Sequence, residues 1–243
     1  VRVTVHSGRC FQVFLAVVEV ARVMLLRLPG VYRPQDDTTL LAEEIGPAAL
    51  PAGASVLDIG AGSGALSVAA VRAGAGSVLA VDVSWPAVLA TWLNTALRGL
   101  PVRVRRGDAL ELAAGRQIDV VLANPPYVPS PRPDLPARGR ERAWDAGLDG
   151  RGVLDRVTAL APVLLAPRGV LLMVHSALCG VDRTLHQLRG GGLKASVVAR
   201  RSVPFGPVLR SRAQFLRERG LIAPGQRHEE LVVIRGDRTE RAA

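Results

Sequence analysis

The sequence predicts an α/β protein in which a mainly parallel sheet has helices on both faces. Seven short apolar segments of strand type occur along the chain, and segments of helical periodicity separate most of them. The first segment runs directly into a glycine-rich turn and an apolar helix over residues 56–71. The fourth is almost continuously apolar, as expected for a strand buried on both faces of a sheet. The predicted strands are residues 56–59, 77–82, 102–105, 118–123, 169–175, 195–198 and 230–234.

The composition is that of a folded protein with a strongly basic charge balance. The chain has 243 residues, of which 49% are hydrophobic and 21% charged, so it can bury the core of one α/β domain. Its net charge of +10 favours nucleic acid as a binding partner. However, Lys194 is the only lysine, and a chain rich in Ala, Gly, Arg and Val is also typical of a GC-rich genome. A functional basic face and solvated arginines from codon bias are both consistent with the charge.

Cysteine content and hydropathy indicate a cytoplasmic protein without a metal site. Cys10 and Cys179 are too few and too far apart for a disulfide framework, which favours a reducing compartment. The two cysteines and four histidines show no spacing typical of zinc ligands. Residues 11–26 are apolar but interrupted by Glu19 and Arg22, so we expect neither a membrane span nor a signal peptide there.

Residues 1–30 form an N-terminal extension with two alternative interpretations. Val1 would fit a GTG start codon, and Met24 lies just before the main domain. One hypothesis is therefore that residues 1–23 come from a mis-called upstream start. The other is that the extension forms a short helix packed on the domain.

The glycine-rich turn at residues 58–64 has the strand–turn–helix context that gives such a motif meaning. Gly60 and Gly62 let the backbone turn tightly and approach a ligand closely, and the following helix offers free N–H groups. Dinucleotide enzymes use a related turn. Asp58 would repel a pyrophosphate, whereas it suits a cationic or amine-bearing ligand such as S-adenosylmethionine.

Two further acids follow predicted strands. Asp82 ends the second strand about 20 residues after the glycines, where α/β folds bind ribose hydroxyls. Asp108 follows the third strand and could accept a hydrogen bond from an adenine amino group. Each also has a plain alternative, as a strand-end or turn residue. Asp36 or Asp37 is expected to cap a helix that ends at residues 46–47.

Residues 124–127, Asn-Pro-Pro-Tyr, carry the most specific signal in the chain. The prolines end the fourth strand and stiffen the backbone, leaving Asn124 where open α/β sheets bind ligands. The Asn124 amide oxygen and a carbonyl beside Pro125 can accept hydrogen bonds from a planar NH₂ group, and Tyr127 offers it a flat face. Holding both hydrogens directs the nitrogen lone pair toward an incoming methyl group. A strand terminator is the structural alternative, and a polar loop over residues 128–150 follows.

These motifs together resemble the class I S-adenosylmethionine-dependent methyltransferases that modify planar nitrogens. Within that group the chain is similar to the HemK-type protein-glutamine methyltransferases, especially a small subgroup that includes the eukaryotic and archaeal enzyme acting on translation release factors. Residues 31–38 and 141–156 carry the narrower match, and the resemblance extends over residues 31–174. It implies a seven-stranded Rossmann-like sheet of order 3-2-1-4-5-7-6 with the last strand antiparallel.

The resemblance also implies a role for each matching residue and a set of partners. Thr38 would contact the methionine end of the cofactor S-adenosylmethionine, while Asp58 and Gly60 would hold its amino-acid moiety. The remaining implied contacts are Asp82 with the ribose, Asp108 and Ala109 with the adenine, and Asn124, Pro125 and Tyr127 with the target amide. Protein substrate, such as a release factor, would be the main partner, and eukaryotic relatives also need a small zinc-binding activator subunit.

The resemblance assigns residues 31–235 to one methyltransferase domain. The small subgroup lacks residues 202–228, which we interpret as an insertion before the last strand, with an arginine-rich helix predicted at 209–219. Residues 236–243 are charged, and we expect them to form a frayed tail.

The expected reaction is in-line transfer of a methyl group to a planar amide nitrogen, with positioning as the main source of catalysis. Methylation of an exocyclic amino group of an RNA or DNA base is the alternative, because it uses the same tetrapeptide chemistry and suits the basic charge. A non-catalytic cofactor-binding protein and a dehydrogenase are weaker alternatives, since the intact Asn124–Tyr127 segment counts against both.

Overall fold

The computed structural model describes residues 16–20 and 23–239, with side chains described from residue 23 onward. In this part of the chain, no helix combines the length and the apolar character needed to cross a membrane. The strands are β1 Ala16–Val20, β2 Val23–Arg27, β3 Ser55–Ile59, β4 Ser77–Asp82, β5 Val102–Arg106, β6 Ile118–Ala123, β7 Leu165–Ser176, β8 Leu193–Pro204 and β9 His228–Arg238.

Helices connect most of these strands. They are α1 Asp36–Ile45, α2 Ala65–Arg72, α3 Trp85–Ala96, α4 Ala109–Leu112, α5 Leu154–Leu164, α6 Val181–Gly190, α7 Pro207–Ser211 and α8 Ala213–Glu218, with short 3₁₀ turns at Arg140–Ala143 and Ala177–Cys179. Helix α1 packs against α2 and lies beside β7 and β8, while α2 lies beside β3 and β4. In the other helix pair, α5 packs against α6, with α5 beside β6 and β7 and α6 beside β8. Burying apolar helix faces against a central sheet gives the layered architecture that the alternating pattern predicts.

The main sheet has seven strands in the order β5-β4-β3-β6-β7-β9-β8. Counted from β3, this is the predicted order 3-2-1-4-5-7-6, and β9 runs antiparallel to both of its neighbours. The predicted fold is therefore confirmed. Strands β4 and β5 lie on one side of β3, and β6 lies on the other side. This reversal of strand order creates a topological switch point between β3 and β6.

The N-terminal segment departs from expectation. β1 and β2 form an antiparallel two-stranded sheet, so the proposed short helix is wrong for these residues. Val23 and Leu25 pack against Ala65 and Val68 of α2, which gives β2 an apolar reason to lie on the domain. The hypothesis of a mis-called start concerns residues 1–23, of which 1–15, 21 and 22 lie outside the described residues, and it stays a prediction.

The C-terminal elements are longer than predicted. Gly236, Asp237 and Arg238 pair with the beginning of β8, so the expected fraying is wrong for these three residues, while residues 240–243 lie outside the described part. The insertion expected at residues 202–228 is shorter in the structure, because residues 202–204 belong to β8 and residue 228 begins β9. Residues 205–227, here called the insert, leave the sheet. The predicted helix at 209–219 is in fact two short helices that meet at Arg212.

Asn94 of α3 joins the N-terminal strand to the glycine-rich turn. Its amide nitrogen donates to the carbonyl oxygens of Leu26, at 2.8 Å, and Ser63, at 2.9 Å. Its amide oxygen accepts from the Leu26 N–H at 2.8 Å. Asn94 is fully buried and Ser63 nearly so, while Leu26 is half-buried, so at least the Ser63 carbonyl has no access to water as a replacement partner.

We expect Asn94→Ala to lower the free energy of unfolding by about 3 kcal/mol, because it leaves these backbone groups of the buried Ser63 and the half-buried Leu26 unpaired. Urea denaturation followed by circular dichroism measures the change. Leu89→Ala, on the exposed side of the same helix, is the matched control and should cost no more than about 0.5 kcal/mol. Equal effects of the two substitutions would contradict the bridging role.

Candidate cofactor and acceptor site

A cavity of about 430 Å³ opens at the carboxyl ends of β3, β4, β5 and β6. This is where the switch point of an open α/β sheet places ligands. All but one of the residues predicted for the site line it. They are Thr38, Gly60, Gly62, Asp82, Asp108, Ala109, Asn124, Pro125 and Tyr127. Residues that are far apart in sequence therefore meet in one site, as the motif spacing predicts.

The glycine-rich turn adopts a backbone that requires glycine. Gly60, Gly62 and Gly64 have φ angles of 71°, 58° and 81°, in the left-handed region that other residues rarely occupy. A Cβ on Gly64 would also lie 3.1 Å from the Thr91 side chain. The Thr91 hydroxyl donates to the Gly62 carbonyl oxygen at 3.1 Å, so helix α3 supports the turn from behind.

Asp82 is held at the edge of this turn. Its carboxylate accepts hydrogen bonds from the Gly62 N–H at 3.1 Å and the Ser84 N–H at 2.8 Å. Burial raises its pKa, and these backbone donors oppose that rise. The two bonds fix the carboxylate beside the cavity, where it can accept hydrogen bonds from vicinal hydroxyls.

Asp58 is the predicted site residue that the structure does not place in the cavity wall. Its side chain is fully buried, and its Oδ2 atom accepts from the Ser67 hydroxyl at 2.5 Å. Its Oδ1 atom has no hydrogen-bond partner among the described residues. Burial raises its pKa from 3.8 to about 6, while the bonds from Ser67 oppose the rise. The carboxyl therefore lies behind the turn, with one oxygen held by Ser67 and the other unpaired.

Asp108 has the structural role considered for it, and its position leaves the predicted adenine contact open. It lines the cavity and also caps α4, where its carboxylate accepts from the Leu110 N–H at 3.0 Å. Its other oxygen pairs with Arg156 at 2.6 Å. Burial pushes the pKa of Asp108 upward, but Arg156 and the backbone donors outweigh it, so the net shift is downward. Asp108 is thus held as a carboxylate at the cavity rim.

Asp37 does not cap helix α1, which begins after Gln35 without a side-chain cap. Instead, its Oδ2 atom accepts from both the Tyr32 and Tyr127 hydroxyls at 3.1 Å, and its Oδ1 atom accepts from the Thr38 N–H at 2.6 Å. Burial, followed by the charge of Asp37, raises the pKa of both tyrosines well above their ordinary value. Both hydroxyls therefore stay protonated and donate to one buried carboxylate.

Thr38 connects this cluster to the acceptor segment. Its hydroxyl accepts a hydrogen bond from the Asn124 amide nitrogen at 3.1 Å. Because Thr38 holds the nitrogen, the amide oxygen is the atom that Asn124 can offer to a ligand. Tyr127, tied to Asp37, is fixed in the same network. The structure therefore explains why the 36–38 and 124–127 motifs occur together in one site.

The loop after β6 folds back over the cavity. Val128 donates its N–H to the Trp144 carbonyl at 2.7 Å and accepts from the Ala146 N–H at 3.1 Å. The returning part of the loop lines the cavity through Leu135, Arg142 and Trp144. A long polar loop over the site was expected at residues 128–150, and the backbone bonds show how its ends are held.

Several contributing residues had roles that the sequence did not reveal. Asp37 looked like a helix cap. Tyr32 and Arg156 lie in the stretches that resemble the family, at residues 31–38 and 141–156, but no pattern shows what they contact, and Ser67 and Thr91 belong to no motif with a known spacing. Their roles depend on contacts between distant segments. Pattern reasoning finds residues at strand ends but not the side chains that support them.

The chemistry of the cavity fits S-adenosylmethionine. That cofactor carries a sulfonium and an ammonium cation, two ribose hydroxyls and an adenine amino group, which together call for acceptors and negative charge. The carboxylates of Asp82 and Asp108 lie at the wall, and Asp58 lies behind it with an unsatisfied oxygen. The remaining wall includes apolar side chains such as Ile59 and Leu66 that can cover a planar base.

Sequence comparison relates the chain to proteins that are named as methyltransferases. A family model described as ribosomal protein L11 methyltransferase (PrmA) matches residues 36–125. The chain is 32% identical to MJ0928 of Methanocaldococcus jannaschii, named as a protein N5-glutamine methyltransferase, over 78% of this chain and 94% of that protein. It is 36% identical to the methyltransferase HEMK2 of Mus musculus over 59% of this chain and 71% of that protein.

The chain spans about half the length of the bacterial relatives that it matches. Its identity to the release factor glutamine methyltransferase of Geobacter sulfurreducens is 32%, covering 60% of this chain and 53% of that protein. Among solved structures, the T. thermophilus 16S rRNA methyltransferase RsmC, bound to AdoMet and guanosine, has a TM-score of 0.64 at 19% identity, covering 95% of this chain and 52% of that one. The E. cuniculi Mtq2–Trm112 complex gives 0.58 at 21%, covering 86% and 99%. At these identities the structures show the shared fold.

The raised pKa of Asp58 predicts a pH-dependent stability. The folded protein keeps a proton on Asp58 that the unfolded chain has released, so the stabilising contribution is fully present below pH 3.8 and is lost as the pH rises through about 6. The loss from this group should be about 3 kcal/mol. Urea denaturation of the wild type and of Asp58→Asn across pH 4 to 8 (roughly the window set by this shift) measures it as the difference between the two curves.

Ser67→Ala is the companion variant, because the Ser67 hydroxyl opposes the rise in the pKa of Asp58. In Ser67→Ala, the loss of stability that comes from Asp58 should therefore occur at a higher pH than in the wild type. If the difference in the free energy of unfolding between the wild type and Asp58→Asn does not change with pH, the raised pKa of Asp58 is contradicted.

Proposed function

The chain belongs to the HemK-type protein N5-glutamine methyltransferase family, and on that basis we propose that it uses S-adenosylmethionine to methylate a glutamine side chain in a protein. The observation that supports the proposal is the Thr38–Asn124 hydrogen bond, which occupies the Asn124 amide nitrogen and leaves its oxygen as the atom to accept from a ligand in a cavity lined by carboxylates. The proposed reaction needs a cofactor site and an amide-binding site in the same cavity.

We assign the contacts of the cofactor from the chemistry of the residues that line the cavity. Asp82 would accept hydrogen bonds from the ribose hydroxyls, and Asp108 with Ala109 would bind the adenine. The turn at Gly60 and Gly62, together with Thr38, would receive the amino-acid end. Bound there, S-adenosylmethionine supplies an activated methyl group.

The acceptor side positions the nitrogen. The Asn124 oxygen and the carbonyl beside Pro125 would accept the two hydrogens of the glutamine amide, which directs the nitrogen lone pair toward the methyl group. Tyr127 would pack against the planar amide, and its bond to Asp37 fixes the ring. No strong base is needed first, since the proton can leave after the new bond forms. Catalysis is therefore mainly positioning.

We propose a translation release factor as the acceptor protein. The Geobacter sulfurreducens relative is named for this class of substrate, and the Mtq2–Trm112 complex is described as responsible for methylation of the eRF1 termination factor. The assembly of Mtq2 with Trm112 also supports a small activator subunit as a partner of this chain.

The first test is transfer of labelled methyl from S-adenosylmethionine in a cell lysate, with protease and nuclease treatment of separate samples. Label in protein that maps to glutamine is the expected result, and it identifies the acceptor. Label in nucleic acid would replace this proposal with base methylation. Absence of label while the cofactor still binds would indicate a missing partner subunit.

Asn124→Ala should keep cofactor binding and lose turnover by several orders of magnitude, because the acceptor amide is no longer held. Calorimetry with S-adenosylmethionine and labelled-methyl transfer measure the two quantities separately. Gln117→Ala removes an exposed amide far from the cavity and serves as the control. An unchanged rate for Asn124→Ala would remove Asn124 from the mechanism.

A further inference from the structure

A second cavity of about 330 Å³ adjoins the reaction cavity. The two share a wall formed by Tyr32, Asp37, Tyr127 and Trp144. The opposite wall of the second cavity, here called the groove, comes from residues 203–209, from the end of β8 into the insert. Its volume lies within the range of about 300–1,000 Å³ that is usual for binding pockets. A chain whose glutamine enters the reaction cavity would continue into the groove.

The insert is fixed in place beside the acceptor segment. Phe205, Leu209, Leu216 and Ile222 form a separate apolar cluster, which packs against Val128 and Leu178. Arg212, at the junction of α7 and α8, pairs with the buried carboxylate of Asp145 at 2.6 Å and donates to the Pro129 carbonyl at 3.0 Å. The insert is therefore attached to the loop that follows residues 124–127, and it forms a defined wall.

Glu229 gives the groove an unsatisfied acceptor. It is only 8% exposed and lines the groove, yet its Oε2 atom has no hydrogen-bond partner in the described part of the chain. Neighbouring Glu230 behaves differently, since its carboxylate is more exposed and pairs with Arg200 at the surface. The Glu229 carboxyl also accepts a hydrogen bond from Ser176, so Oε2 is its unpaired atom. A buried acceptor without a donor is costly and rare in native proteins, and Oε2 is therefore placed to accept a donor from a ligand in the groove.

The outer part of the groove carries more basic than acidic side chains. Arg27, Arg33 and Arg140 line it, the last two exposed, together with one exposed acid, Asp36. This arrangement places positive charge around an opening whose inner wall carries the acids Asp37 and Glu229. A polypeptide matches both features, because it offers an N–H donor to Glu229 and carboxylate side chains to the arginines. A phosphate group would match the arginines but offers no donor to Glu229 and would be repelled by the carboxylate of Asp37.

Resting on the proposed function, we propose that the groove docks the polypeptide next to the target glutamine. An N–H or O–H donor of that segment binds Glu229 Oε2, and an acidic side chain of the segment faces Arg33 and Arg140. The substrate class is therefore a protein in which an acidic residue lies close to the modified glutamine. The insert contributes residues 206–209 to the groove wall, while the preference for an acidic neighbour comes from Arg33 and Arg140, which lie outside both the insert and the catalytic tetrapeptide.

The test compares two acceptors. One is a synthetic peptide that carries the glutamine mapped by methyl labelling with its native flanking residues, and the other is N-acetylglutamine methylamide. Glu229→Leu should reduce the advantage in kcat/KM of the peptide over the small acceptor by about 10-fold. Glu229→Gln keeps one acceptor oxygen and should recover part of it. Glu230→Leu is the matched control and should keep the full advantage.

Arg33→Glu provides a second readout that does not depend on a buried substitution. It should shift the enzyme's preference from acidic toward basic flanking residues in otherwise identical peptides. Transfer of label by the wild type to nucleic acid alone would overturn the proposed function itself. If the wild type methylates the peptide but Glu229→Leu behaves as Glu230→Leu does, the groove assignment alone is overturned. Label in RNA that responds to Arg33→Glu would overturn the polypeptide assignment.

Discussion

The buried carboxylate of Asp37 is the interaction on which the site depends. It receives the Tyr32 and Tyr127 hydroxyls and the Thr38 N–H, and so it joins the loop before α1 to the segment after β6. Thr38 then holds the Asn124 amide. Since a buried charge is tolerated only when its hydrogen-bonding capacity is used, these donors are fixed as a group. The hydrogen bonds that the Asp37 carboxylate accepts therefore also fix the orientation of the Asn124 amide.

A second set of contacts holds the cofactor side. The turn at Gly60–Gly64 has a strained form for any residue but glycine, and helix α3 supports it through Thr91 and Asn94. Asn94 also binds β2, so the N-terminal hairpin and the turn share one buried amide. The cavity is therefore shaped by polar side chains that face inward from a neighbouring helix, while the sheet supplies the strand ends.

The sequence predicts the parts of the fold that have a strong local pattern. Apolar strands, the glycine turn and the proline-stiffened segment at Asn124 are visible because each needs specific residue types at consecutive positions. Asp37 was misread, because a carboxylate at a helix start looks like a cap until its tyrosine partners, one of them far along the chain, are known. Likewise β2 has apolar residues that suit a helix or a strand, and only its contacts with α2 decide. The inner position of Asp58 depends on packing that no local pattern encodes.

The position of the insert has a consequence for the groove. It lies at the turn between β8 and β9, two adjacent antiparallel strands that pair over their full lengths, from Leu193–Arg238 to Pro204–His228. A segment grafted at such a turn changes length without altering the register of the sheet, because loop closure costs little more as a loop grows. A change in the length of the insert can therefore reshape the groove wall without moving the strand ends that line the reaction cavity.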